Sequence, residues 1–136
     1  MENKLTAIAA PEWMLRLFRS IDELDFSEGS GFQIFAEDVV MQFGTETVKG
    51  LEAVKQFFVT LDAPFITEHR VDTVFQYDRA FVMQGSATLR KKNDPVGRTF
   101  EAAPLFNLLW FDDKGKVIRY VVDFPPDAAE TSGLMH

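Results

Sequence analysis

Two residues in this chain combine acid-base chemistry with an apolar setting, Asp123 and His69. Asp123 closes the run Arg119-Tyr-Val-Val-Asp-Phe-Pro-Pro126, an apolar strand that a double proline stops. A carboxylate among Val121, Val122 and Phe124 is either an outward, solvated group or a deliberately buried one. Burial among Phe and Leu side chains would favour its neutral form and bring its pKa toward the range where protons move at neutral pH. The ordinary alternative is an exposed or interface carboxylate paired with Arg119 or Arg98. His69 is a second titrating group in an apolar strand, and its ordinary alternative is a hydrogen-bonded histidine at the sheet margin. Together the two supply a base and an acid for enolising, cyclising or dehydrating an apolar carbonyl compound. Asn107 and Tyr120 are the polar groups suited to orient a ligand oxygen, with simple packing as the other reading. Trp13, Phe18 and Phe57 belong to apolar stripes that build a core and, secondarily, line a pocket.

Composition removes several other chemistries. The chain has 136 residues, no cysteine and two histidines, which excludes disulfides, thiol catalysis and a conventional zinc site. Its net charge is −7, and its longest basic run is Arg90-Lys91-Lys92, so the footprint of a nucleic-acid binder is missing. The first residues lack the basic and apolar segments of a signal peptide or membrane span, so a cytoplasmic protein without membrane attachment is expected. No metal and no cofactor are expected. Fourteen Phe residues suit a packed interior or a pocket for a small hydrophobic molecule.

The elements that must position these groups follow from periodicity. After an arm over residues 1–10, Pro11 opens a helix whose stripe is Trp13, Leu17, Ile21 and Leu24, with Arg16, Arg19, Asp22 and Glu23 on its wet side. Ser27 to Gly31 breaks it, Phe32 to Phe35 forms a helical turn, and Val39 to Phe43 is a first strand. A second helical stripe runs through Leu51, Val54, Phe57, Phe58 and Leu61 until Pro64 stops it. The period then becomes two over 65–76, 81–91, 98–111 and 116–124, an antiparallel meander. The strand ending at Phe111 is apolar on both faces; helices cover one, and a second subunit is the natural cover for the other. The expected architecture is a single α+β domain over 11–126, a cone-shaped curved antiparallel sheet packed on N-terminal helices, followed by a tail over 127–136.

The strings Phe35-Ala-Glu-Asp-Val-Val-Met, Lys49-Gly-Leu-Glu-Ala-Val-Lys-Gln-Phe-Phe58, His69-x-Val-x-x-Val and Phe111-Asp-Asp-Lys-Gly-Lys-Val-Ile118 resemble the nuclear transport factor 2-like superfamily, in its SnoaL-like and ketosteroid-isomerase-like branch. The resemblance spans residues 11–126. It implies a hollow cone, a homodimer paired through the sheet, and uses that include isomerase, cyclase, dehydratase and epoxide hydrolase activity as well as non-catalytic binding. Asn107 falls where the resemblance places the protonated aspartate of ketosteroid isomerases, and an amide can also donate to an oxyanion. The tyrosine of those isomerases is replaced by the region of Leu17 and Phe18, and their general base by Phe43, which disfavours steroid isomerisation. The middle-strand Arg-x-Asp of limonene-epoxide-hydrolase relatives reads Ser86-Ala-Thr-Leu-Arg-Lys-Lys here, which disfavours that chemistry as well. In SnoaL-like cyclases one carboxylate on the last strand does the acid-base work. Counted from Gly115, that position is Val122, and Asp123 lies one residue late.

One residue reverses a side chain's face in a strand, so the preceding hairpin decides the matter. A four-residue loop, Asp112 to Gly115, pairs Phe111 with Lys116 and turns Asp123 away from the cavity. A three-residue loop with Gly115 left-handed pairs Asp112 with Lys116, sets Leu105 opposite Asp123 and turns the acid inward. A bulge near Pro125 would also restore the family position. The function expected is cofactor-free acid-base catalysis on a small hydrophobic carbonyl or polyketide-like substrate, with a non-catalytic binding or dimerisation domain as the alternative.

Overall fold

The computed structural model describes residues 4–124, so the tail expected from Asp127 lies outside the described residues. Strand β1 (Thr6–Ile8) is followed by α1 (Glu12–Glu23), a 3₁₀ turn (Gly31–Ile34), β2 (Phe35–Phe43), β3 (Glu46–Lys49) and α2 (Leu51–Asp62). The meander β4 (Phe65–Tyr77), β5 (Ala80–Lys91), β6 (Thr99–Phe111) and β7 (Val117–Asp123) completes the described residues. Two helices thus pack on a curved, unclosed seven-stranded sheet of order β1-β4-β5-β6-β7-β2-β3, an α+β fold. Every neighbouring pair is antiparallel except β2 and β7. None of the described helices is long and apolar enough to cross a membrane.

Helix α1 forms because Met14, Leu17, Phe18 and Ile21 recur at three- and four-residue spacing and are all buried against the sheet. It stops where Leu24 turns left-handed (φ 50°) and the amides of Leu24 and Asp25 bind the carbonyls of Ile21 and Ser20. The 3₁₀ turn clamps this helix. Ser20 Oγ accepts the Gly31 N–H at 2.8 Å, and a Cβ added to Gly31 would sit 2.4 Å from Leu17 Cα, so only glycine permits this approach. Helix α2 starts at Gly50 (φ 94°) and turns Val54, Phe58 and Asp62, each four residues apart, toward the interior. An acid therefore occupies the third position of a buried stripe.

Within the arm expected over residues 1–10, Thr6–Ile8 pairs with Val74–Gln76 as an edge strand. On β6 the faces divide differently from strict alternation. Ala102 is buried together with Leu105, Asn107 and Leu109, because the β5–β6 register shifts between Gly85 and Ala87. The opposite face leaves Phe106 (44%), Trp110 (48%) and Ile118 (38%) exposed.

The β6–β7 hairpin answers the question of parity. The Asp112 N–H bonds the Lys116 carbonyl at 2.7 Å and Gly115 has φ 82°, which is the three-residue loop. That loop alone would turn Asp123 inward. However, Trp110 pairs with Arg119 while Phe111 pairs with Val117, so Ile118 is an extra residue and slips the register by one. Asn107 consequently faces Val122, and Asp123 faces the outward Phe106. The inward placement of Asp123 is thus corrected: its side chain is exposed on the outer face, and its Oδ1 accepts the Phe124 N–H.

Candidate active site

Between α1, α2 and the concave face of the sheet lies a cavity of about 50 Å³. A water needs roughly 10–15 Å³ of such space, so it holds a few waters or one small, compact organic molecule. Phe43, Phe58, Leu105, Val122 and Phe124 give it apolar walls, and Asp62, Thr67, His69, Asn107 and Tyr120 bring polar atoms.

Thr67 and His69 project from the same face of β4, two residues apart, and both reach Asp22 on α1. Asp22 Oδ1 accepts the Thr67 hydroxyl at 2.9 Å and contacts His69 Nδ1 at 2.5 Å, while Oδ2 accepts the His69 backbone N–H at 2.9 Å. A carboxylate that accepts this many donors holds the proton on Nδ1 and leaves Nε2 to the cavity. Phe18 stacks on the imidazole with ring centres 5.4 Å apart, so ring orientation is fixed from two sides.

Asp62 is 7% exposed and no described residue hydrogen-bonds its carboxylate. Burial is the main reason its pKa is pushed up, to about 6; the negative Asp22 adds to the rise and His69 opposes it. The result is a carboxylate that exchanges protons near neutral pH, facing an imidazole with a free nitrogen.

On the sheet side, Asn107 and Tyr120 stand diagonally across the β6–β7 pair, and the Tyr120 hydroxyl donates to Asn107 Oδ1 at 2.6 Å. Burial, and then the charge of Asp62, push the Tyr120 phenol above its ordinary 10.0, so it remains a donor. Asn107 Nδ2 has no partner among the described residues, and no fully enclosed polar atom is left unpaired, so this amide keeps access to the cavity.

Of the residues singled out from sequence, His69, Asn107 and Tyr120 line the cavity and Asp123 does not. Phe18 stands behind His69, whereas Phe57 packs on Phe43 and Phe58 outside the lining. Trp13 lies elsewhere in the core, between Phe81 and Phe111. Sequence reasoning missed Asp62 and Asp22. The spacing 54, 58, 62 was a usable signal for Asp62, and Asp22 lies four residues beyond the buried Phe18. Among the described residues no group of three or more His, Cys, Asp or Glu side chains is arranged to hold a metal.

No family model matches the chain, and no curated protein matches it by sequence. Solved structures do match. A SnoaL-like protein from a Jannaschia species, proposed to be a polyketide cyclase, superposes with a TM-score of 0.74 at 21% identity, over 92% of this chain and 95% of its own. A Catenulispora acidiphila protein with a ketosteroid isomerase-like fold, solved with trimethylamine, gives 0.73 at 14% identity over 92% and 95%. The chain has the nuclear transport factor 2-like fold. A third example of this fold, a limonene-epoxide-hydrolase-like epoxide hydrolase of M. tuberculosis, gives 0.68 at 12% identity over 90% and 86%. Proteins this distant share a scaffold, and what this chain does must be argued from its own cavity.

Proposed function

We propose that the protein is a cofactor-free acid-base enzyme, an isomerase, cyclase or dehydratase, acting on a small apolar carbonyl compound. The observation that carries this reading is Asp62, a buried carboxylate without a hydrogen-bond partner among the described residues and with a pKa near 6, facing the His69–Asp22 pair. Asp62 removes a proton from the carbon beside the carbonyl, and the electron pair moves onto the carbonyl oxygen. The Asn107 amide donates to that oxygen as it gains charge. The proton taken by Asp62 passes to the free Nε2 of His69, and the imidazolium, stabilised by Asp22, delivers it to the second atom, either to complete an isomerisation or to protonate a departing hydroxyl. The acid-base role expected of Asp123 passes to Asp62 because only Asp62 lines the cavity.

The test is exchange of the α-protons of small cyclic ketones, headed by cyclopentanone, in deuterium oxide, followed by proton NMR. Wild type should accelerate exchange over buffer and Asp62→Asn should lose at least about 100-fold of that rate; equal rates for both proteins would sink the assignment.

A second reading, a non-catalytic pocket for a small ammonium compound, is favoured by the same unpartnered carboxylate among aromatic walls. The Catenulispora protein solved with trimethylamine has this fold. Saturable binding of trimethylammonium without any ketone exchange would select it. In either case the exposed Phe106, Trp110 and Ile118 on the outer sheet face support pairing of two copies through the sheet.

A further inference from the structure

We propose that Tyr120 sets the polarity of the recognition point in the cavity, locking Asn107 so that it offers only N–H and selects ligands that present an acceptor oxygen. The inference builds on the proposed function, because the acceptor in question is the carbonyl oxygen of that substrate class.

An asparagine side chain can face a ligand with either its carbonyl or its amide, and the two ends have opposite requirements. Which end faces the ligand depends on what holds the other. Here Tyr120 is 1% exposed, and its hydroxyl lies 2.6 Å from Asn107 Oδ1. No other described residue accepts from that hydroxyl. If Asn107 turned over, its Nδ2 would donate to the tyrosine oxygen, and the phenolic proton would be stranded in an apolar interior without an acceptor. The tyrosine has no means of adapting by losing that proton, since burial and the neighbouring Asp62 hold it protonated. Thus a single hydroxyl fixes Oδ1 on the protein side and Nδ2 on the ligand side.

This division gives the cavity two unlike faces. The α2 and β4 side carries Asp62 and His69, which take and give protons, while the β6 and β7 side only donates. A ligand oxygen without a hydrogen fits the second face. A ligand that presents only an N–H there meets another N–H, and both donors are left unsatisfied. Tyr120 is on this account a specificity-determining residue that acts through Asn107.

The experiment compares two five-membered-ring probes, cyclopentanone as acceptor and pyrrole as donor, binding to wild type, Tyr120→Phe and Asn107→Leu. Binding is followed by the shift of the Asn107 side-chain amide signal, or by backbone amides of β6 in the Leu variant. Wild type should bind cyclopentanone at least about tenfold tighter than pyrrole. Tyr120→Phe should narrow the preference to within about threefold, because Asn107 is then free to turn. Asn107→Leu removes the donor with a side chain of similar size and should bring the two probes to within about threefold, a result independent of how well the Phe variant folds. An unchanged preference in Tyr120→Phe, a wild type that favours pyrrole, or no binding of cyclopentanone would each overturn the proposal. These are equilibrium measurements, so failure of the proton-transfer reading appears separately, as ketone exchange that survives in Asp62→Asn.

Discussion

Replacing Asp62 by Asn should make the protein more stable while removing its activity. The side chain is buried without a hydrogen-bond partner among the described residues, and its pKa rises from 3.8 to about 6 on folding. Between those two values the folded chain binds more protons than the unfolded one, so stability falls as pH rises through this window and is level above it. At ~1.4 kcal/mol for each tenfold displacement of the equilibrium, the ionised carboxylate costs on the order of 3 kcal/mol above pH 6. Below pH 3.8 the cost is absent. An asparagine of the same shape never ionises, so Asp62→Asn should gain ~2–3 kcal/mol at pH 7.5, on the order of 10 °C in Tm for a chain of this size. At pH 4 the two proteins should melt within about 1 kcal/mol of each other. The assay is urea or thermal unfolding of both proteins from pH 4 to 8. A difference that does not change with pH, or a less stable Asn variant at pH 7.5, would refute the argument that desolvation holds this acid near neutrality.

Asp22→Asn should free the His69 ring and lower ketone exchange by about 10- to 100-fold, with the imidazole nitrogen shifts showing the loss of the fixed Nδ1–H form; unchanged shifts would contradict the placement of the proton. Asp123→Asn should leave exchange unaltered and stability within about 0.5 kcal/mol, because that acid is exposed on the outer face; loss of activity would return it to the site. Light scattering should find a dimer for wild type, and the pair Phe106→Ser and Trp110→Ser should give a monomer; a monomeric wild type would leave that face without its proposed cover.

Much of the scaffold was legible because it rests on local periodicity. The stripes of α1 and α2 and the alternation of β4 to β7 are statements about residues near one another in sequence. Strand β1 has three residues and β3 four, too short to show a pattern, and the parallel pairing of β2 with β7 joins segments some eighty residues apart in the chain. The site was less legible for a related reason. Asp22 reads as a wet helix residue until Thr67 and His69, 45 and 47 residues away, fold against it. The face of Asp123 stayed open between two registers, and a single bulge at Ile118, which no residue type announces, decides it. Asp62 was available in the four-residue spacing of α2, and the expectation that a helical carboxylate is solvated hid it.

The most direct test of the account is the pH dependence of cyclopentanone α-proton exchange in wild type and Asp62→Asn. The account predicts a wild-type rate that climbs through about pH 6, as Asp62 loses its proton and becomes a base. It predicts no such climb in the variant. A wild-type rate flat across that range, or a variant that keeps the wild-type profile, would contradict it.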